Sequence, residues 1–179
     1  MAPRRVIHML DPYLLWLESS AFSTWMREST SIFAFPIVLA LHTIGLGLIA
    51  GLNVALDLRI LGFAPRIPVQ ELRGFVPLMW LGLWLNVTSG VALLTAYPTK
   101  ALTNPVFYLK LGLIGAALAI LRVVRRRLLI EGMPLTMSMP RALRILATAS
   151  LGCWAGAITA GRLLAYTYTR LMVDSVPRP

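Results

Sequence analysis

Four long apolar runs dominate the hydropathy pattern of this chain, with shorter polar stretches between them. The runs cover residues 32–56, 75–96, 105–121 and 143–168. As a helix rising about 1.5 Å per residue, the first run is about 37 Å long, enough to cross a hydrocarbon core of about 30 Å. Strands of a membrane barrel are only about 10 residues long and alternate in polarity. Lipid offers no hydrogen-bond partner to backbone groups, so each long run must pair its own groups as a helix. The pattern therefore predicts four transmembrane helices.

A shorter segment with a helical pattern precedes the first run. Asp11-Pro12 is typical of a helix start. The apolar residues that follow share one helical face: Leu14, Leu17, Ala21 and Trp25. Residues 12–27 are too short and too polar to span a bilayer, so they are predicted to form an amphipathic helix at the membrane interface. The predicted fold is all-α, a four-helix membrane bundle in one domain over residues 1–179.

Composition supports lipid as the solvent for much of the chain. Hydrophobic residues make up 58% of the sequence and charged residues 13%, whereas soluble domains carry about 25% charged residues. The net charge is +10. The basic residues lie between the apolar runs, where they orient helices and meet anionic headgroups. We therefore expect the bilayer as a partner and no nucleic acid.

The distribution of basic residues predicts an orientation. The loops after the first and third runs carry nine arginines: Arg59, Arg66, Arg73, Arg122, Arg125, Arg126, Arg127, Arg141 and Arg144. The opposite side carries six basic residues: Arg4, Arg5, Arg27, Lys100, Arg170 and Arg178. Because positively charged loops stay in the cytoplasm, both termini are predicted to be periplasmic.

Small residues recur at four-residue spacing in three of the runs. They are Gly47 and Gly51 in the first run, Gly112 and Ala116 in the third, and Gly152, Gly156 and Ala160 in the fourth. Such spacing lets helix backbones approach closely in lipid. The pairs predict close packing within the bundle, with a homo-oligomer as the alternative.

Ionisable side chains inside the runs are the candidates for chemistry. The phosphate-binding, dinucleotide, zinc-protease and serine-hydrolase motifs of soluble enzymes are absent from the sequence. Three ionisable residues remain within the runs: His42, Lys110 and Arg162. Such residues are costly in lipid and are functional candidates by default. Counted from the helix ends, all three fall in the outer half of the bilayer, with Asn86 at mid-depth in the second run.

Haem b is the candidate cofactor for these residues. In this hypothesis His42 supplies an axial nitrogen, and Gly45, one turn away, leaves room for a flat ring. Lys110 and Arg162 would neutralise the propionates. Trp80 and Trp84 would wall the ring. Either His8 or Met26 would fold back as the sixth ligand, or the haem would stay five-coordinate. The alternatives for His42 are a copper ligand, a proton carrier, or a neutral imidazole hydrogen-bonded to a neighbouring helix.

Several short motifs resemble an uncharacterised family of bacterial four-helix inner-membrane proteins. The resemblance covers about residues 14–125 and rests on these elements: Trp16-Leu17-Glu18, Arg27-Glu28-Ser29, Phe35-Pro36, His42 with Gly45, Asp57 to Gly62, and Phe107 with Lys110. In layout the chain is more distantly similar to copper-resistance membrane proteins of the CopD type and to four-helix b-type cytochromes. The resemblance implies a bacterial inner-membrane location and no assigned activity.

The leading hypothesis is an inner-membrane subunit without standalone catalytic activity. Its outer-half site around His42 would bind haem b and pass electrons to a quinone or a partner protein. One alternative is a CopD-like metal or small-solute permease component. The other is a structural subunit of a larger membrane complex, whose partners are other membrane subunits or further copies of this chain.

Overall fold

Helices make up nearly all of the described chain. The structure, a computed structural model, describes residues 12–63, 65, 73–130 and 139–173. The elements in chain order are α1 (12–18), α2 (Ala21–Glu28), α3 (Phe35–Leu61), α4 (Val76–Ala96), α5 (Pro98–Leu102), α6 (Pro105–Arg125) and α7 (Arg141–Val173). A π-helical turn over Arg126–Ile130 continues α6. No strand occurs in these residues.

The predicted four-helix membrane bundle is confirmed. Four helical segments are long and apolar enough to cross a membrane: Phe35–Leu61, Arg73–Ala96, Pro105–Leu128 and Arg141–Leu164. Proline stands at the start of α3, α4, α5 and α6, where its missing N–H costs no intrahelical bond. Asn104 caps α6, because its side-chain oxygen accepts from the Val106 amide at 2.9 Å.

Helices α3, α6 and α7 continue beyond the ends of their apolar runs. The first run stops at residue 56, whereas α3 continues to Leu61 and ends at Gly62, whose φ of 105° is left-handed. The third run stops at residue 121, whereas α6 continues to Arg125. Charged residues end a hydropathy run without ending a helix, since arginine is a good helix former and carries its charge away from the axis.

The N-terminal segment forms two helices rather than the single helix expected over residues 12–27. The break falls at Ser19-Ser20, and the Ser20 hydroxyl accepts from the Ser23 amide as the N-cap of α2. Serine competes for backbone hydrogen bonds in this way and favours helix starts over helix interiors.

The four long helices pack in an order that differs from their order along the chain. Helix α3 contacts both α4 and α7, and α6 packs on α7. One apolar cluster lies in the middle of the bundle and is formed by Ile49, Ala50, Met79, Ala117 and Trp154. A second lies at the arginine-rich end and is formed by Leu56, Ile60, Val124, Leu128, Leu143 and Ala147.

Glycines bring the backbones of α3 and α4 together, but not the glycines of the predicted pairs. A Cβ built on Gly45 would lie 2.6 Å from the Asn86 backbone nitrogen, and one on Gly82 would lie 2.6 Å from Leu48 Cβ. The positions of Gly47, Gly51, Gly112 and Gly152 are open. Of the predicted small residues, Gly156 does make a close contact, since a Cβ there would lie 3.0 Å from Leu113 Cδ1.

Candidate functional site

The imidazole of His42 lies between α3 and α4 and bonds to α4. Its Nδ1 is 3.1 Å from the backbone carbonyl oxygen of Asn86 and 3.2 Å from the hydroxyl oxygen of Ser89. Because a carbonyl only accepts, Nδ1 is the protonated nitrogen in this arrangement and donates to Asn86. The contact is an interhelical hydrogen bond, as in the alternative that places the His42 imidazole against a neighbouring helix.

Asn86 completes a reciprocal contact with the histidine. Its Nδ2 donates to the backbone carbonyl of His42 at 2.9 Å and also lies 3.4 Å from Nδ1 of the ring. Ser89 is buried, and its hydroxyl donates to the Leu85 carbonyl of its own helix. The two helices are therefore joined by polar groups at one level of the bundle.

A glycine that the sequence did not identify accommodates the ring. A Cβ at Gly90 of α4 would lie 3.2 Å from His42 Cε1, so the imidazole sits against a position without a side chain. Gly90 is four residues from Asn86 along α4, and a 3.6-residue repeat places the two on one face. The four-residue spacing between Asn86 and Gly90 is the sequence signal that could have identified Gly90.

Lys110 of α6 lies against α7 rather than against the His42 group. The Lys110 stem passes Gly161 of α7, where a Cβ would lie 3.7 Å from its Cε and 3.9 Å from its Nζ. Arg162 is the next residue along α7 and is exposed. Of the predicted site residues, the structure therefore brings together His42, Gly45 and Asn86.

The two tryptophans of the haem hypothesis lie on the far side of α4. Trp80 is 48% exposed and Trp84 62% exposed. Each is two residues from Gly82, which faces α3, and two residues along a helix is a rotation of about 200°. They therefore face outward and do not wall the imidazole.

The residues around His42 do not fit a haem. Gly45 leaves no room for a ring, because the α4 backbone at Asn86 and Gly82 occupies the space beside it. Met26 is buried in the short helix α2, and His8 lies outside the described residues. For a metal ion, the described residues contain no group of three or more His, Cys, Asp or Glu side chains placed to bind one.

A second polar group, buried between α3 and α7, was missed at the sequence level. Asn53 Nδ2 donates to Ser150 Oγ at 2.9 Å and to Asp57 Oδ2 at 3.3 Å. All three side chains are at most 1% exposed. Within the part of the chain that the structure describes, Asn53 Oδ1 has no hydrogen-bond partner.

Helical spacing could have revealed this second group. Asp57 appears in the sequence as a charge that ends the first apolar run, but it lies four residues after Asn53 and shares its face. Asn53 in turn is eleven residues after His42, which is close to three full turns of a helix. One face of α3 therefore carries both polar groups.

The chain was compared with known proteins at the levels of sequence and structure. No protein-family model, no curated protein and no solved structure matches it. The resemblance to a bacterial four-helix family therefore stays a prediction.

Proposed function

We propose that this protein is a non-catalytic subunit of a larger complex in a bacterial inner membrane, with both termini in the periplasm. Its polar group at His42 joins α3 to α4 and holds the pair in one geometry. The observation that carries this proposal is the reciprocal contact in which His42 Nδ1 lies 3.1 Å from the Asn86 carbonyl and Asn86 Nδ2 donates to the His42 carbonyl. Interhelical hydrogen bonds of this kind contribute about 0.6–2 kcal/mol in membranes.

The close approach of α3 and α4 supports a structural role. A polar contact can fix the rotation of one helix against another only where the backbones are near, and Gly45 and Gly82 provide that approach one turn away. A rigid pair with an outward face of aromatic residues, including Trp80 and Trp84, suits a subunit that other membrane proteins or further copies pack against.

The test is a comparison of His42→Ala with Thr43→Ala. Thr43 is exposed, and its hydroxyl bonds only to the Leu39 carbonyl of its own helix. We expect the wild-type protein to copurify from its native membrane with another membrane protein at fixed stoichiometry. The His42→Ala variant should lose that partner, and Thr43→Ala should keep it.

The visible spectrum separates this proposal from the haem hypothesis. We expect no reduced-minus-oxidised Soret difference in the purified wild-type protein. A Soret difference that disappears in His42→Ala would overturn the structural assignment and restore His42 as an axial ligand. Copurification of both variants with the same partner would show that His42 has no part in assembly.

A small-solute permease that uses protons is the second candidate. The specific observation in its favour is the buried Asp57 group on the same face of α3 as His42. The apolar middle cluster around Ile49 and Trp154 separates the two groups, as a barrier between an outer and an inner site would. Proteoliposomes containing a pH-sensitive dye test this candidate. An imposed proton gradient should dissipate faster in vesicles with the wild-type protein than in vesicles with the Asp57→Asn variant. Equal rates would reject it.

A further inference from the structure

An apolar cleft opens between α4 and α6 at the arginine-rich end of the bundle. Its volume is about 300 Å³, at the lower end of the range of about 300–1,000 Å³ that is typical of ligand pockets. Met79, Trp80 and Leu83 of α4 form one wall, and Leu118 of α6 forms part of the other. A smaller cavity of about 120 Å³ adjoins the cleft, since Met79 and Arg125 line both.

The walls of the cleft suit a hydrocarbon chain. The side chains from α4 and α6 are apolar up to the mouth, and Trp80 at 48% exposed borders the open side. The cleft opens laterally from a segment that spans the membrane. In a bilayer the molecules available to such an opening are lipids, whose acyl chains match its walls.

The mouth of the cleft carries two positive charges. Arg122 and Arg125 line it from the end of α6. Residues three apart on a helix are neighbours on one face, so the two guanidinium groups project on the same side. The residues that line the cleft in the described part of the chain include no acid.

The guanidinium groups at the mouth of the cleft favour a phosphate group as their ligand. Arginine binds phosphate oxygens with paired N–H donors, and basic pockets between transmembrane helices hold the headgroups of anionic lipids. Arg122 is exposed and Arg125 half-buried, so both can reach a headgroup at the membrane surface. The charge at the mouth and the apolar walls below it complement the two parts of one amphiphilic molecule.

We propose that the cleft between α4 and α6 binds one anionic phospholipid. Its phosphate lies against Arg122 and Arg125, and an acyl chain lies between the two helices along Trp80 and Leu83. This site is separate from the His42 group, which lies between α3 and α4, and it does not depend on the proposed structural role. The bound lipid fills the space that α4 and α6 leave between them.

Native mass spectrometry with added phosphatidylglycerol or phosphatidylcholine tests this proposal. The variant Arg122→Gln/Arg125→Gln removes the two charges at the mouth. The matched control is Arg141→Gln/Arg144→Gln, which removes two exposed charges from α7 at the same end of the bundle. We expect the wild-type protein and the control to hold one phosphatidylglycerol each, and the cleft variant to bind it about tenfold more weakly.

A second variant tests the apolar part of the cleft. Ala119 lines the cleft and is exposed, so Ala119→Trp fills the cleft without entering the core. This variant should lose phosphatidylglycerol while unfolding at the temperature of the wild-type protein. Equal weakening by the two arginine pairs would overturn the proposal, because general surface charge would then explain binding. Equal binding of phosphatidylcholine, or full binding by Ala119→Trp, would also overturn it.

Discussion

His42 and Asn86 each bond to the backbone of the other residue's helix. The imidazole Nδ1 lies 3.1 Å from the Asn86 carbonyl oxygen, and Asn86 Nδ2 donates to the His42 carbonyl oxygen at 2.9 Å. Each contact keeps the two helices at the rotation that the other contact needs. Loss of either side chain therefore weakens both contacts.

This reciprocity predicts a coupling between the two side chains. His42→Ala and Asn86→Ala should each lower the free energy of unfolding by about 1–2 kcal/mol, because each removes an interhelical hydrogen bond. The double variant should lose less free energy of unfolding than the two single variants lose together, with a coupling energy of about 0.5–1.5 kcal/mol. Reversible unfolding in mixed micelles gives the free energy of unfolding of the wild-type protein, the two single variants and the double variant. Strict additivity would show that the contacts form independently.

The α3–α4 contact predicts opposite behaviour for two glycines of the same helix. Gly45→Ala places a methyl group 2.6 Å from the Asn86 backbone nitrogen and should destabilise the protein by about 1–3 kcal/mol, the range for overpacking. Gly47→Ala meets open space and should leave stability unchanged or raise it slightly, because alanine is the better helix former. Thermal unfolding of the two variants in one detergent compares them. A stable Gly45→Ala protein would mean that α3 and α4 lie farther apart.

In the buried group between α3 and α7, we expect the shape and hydrogen bonding of Asp57 to contribute more to stability than its charge. Asp57→Asn keeps an oxygen that can accept from Asn53, whereas Asp57→Ala leaves the Asn53 amide without that acceptor. We expect Asp57→Ala to cost about 1–3 kcal/mol of stability, the cost of an unsatisfied buried group, and Asp57→Asn to cost less. Chemical unfolding curves of the two variants provide the measurement. An equal cost for both would show that the carboxylate charge itself stabilises the fold.

The hydrogen bonds of Arg27 hold the N-terminal helices to the bundle. Its guanidinium donates to the Ala96 carbonyl at the end of α4 and to the Glu18 carbonyl at the end of α1. Both are carbonyls of helix ends, which lack partners within their own helices. Arg27→Met should therefore raise hydrogen–deuterium exchange in residues 12–28 and leave the exchange of α3 unchanged. Unaltered exchange in residues 12–28 would show that apolar contacts alone hold the segment.

The number and type of the main elements could be predicted from the sequence. Hydropathy is a local property that sums along the chain, and in lipid a long apolar segment can only satisfy its backbone as a helix. The four spans and the placement of most charged residues between them follow from that requirement. The depth of His42 and Lys110 followed as well, because depth depends only on the distance to a helix end.

Rotation about each helix axis was decided only in the tertiary structure. Gly45 rather than Gly47 meets α4, Trp80 and Trp84 face outward, and Arg162 is exposed although it matches Lys110 in depth. A helix that is apolar on every side carries no sequence signal for the face that packs, since lipid and protein interiors are equally apolar.

The polar contacts between helices depended on the same rotation. Asp57 reads as the end of a span in sequence, yet the packing of α3 on α7 buries it with Asn53 and Ser150. Ser150, ninety-seven positions from Asn53 along the chain, supplies the α7 side of that environment. No local pattern encodes this partner. The sequence determined which segments enter the membrane, and the packing of helices against one another determined which side chains meet there.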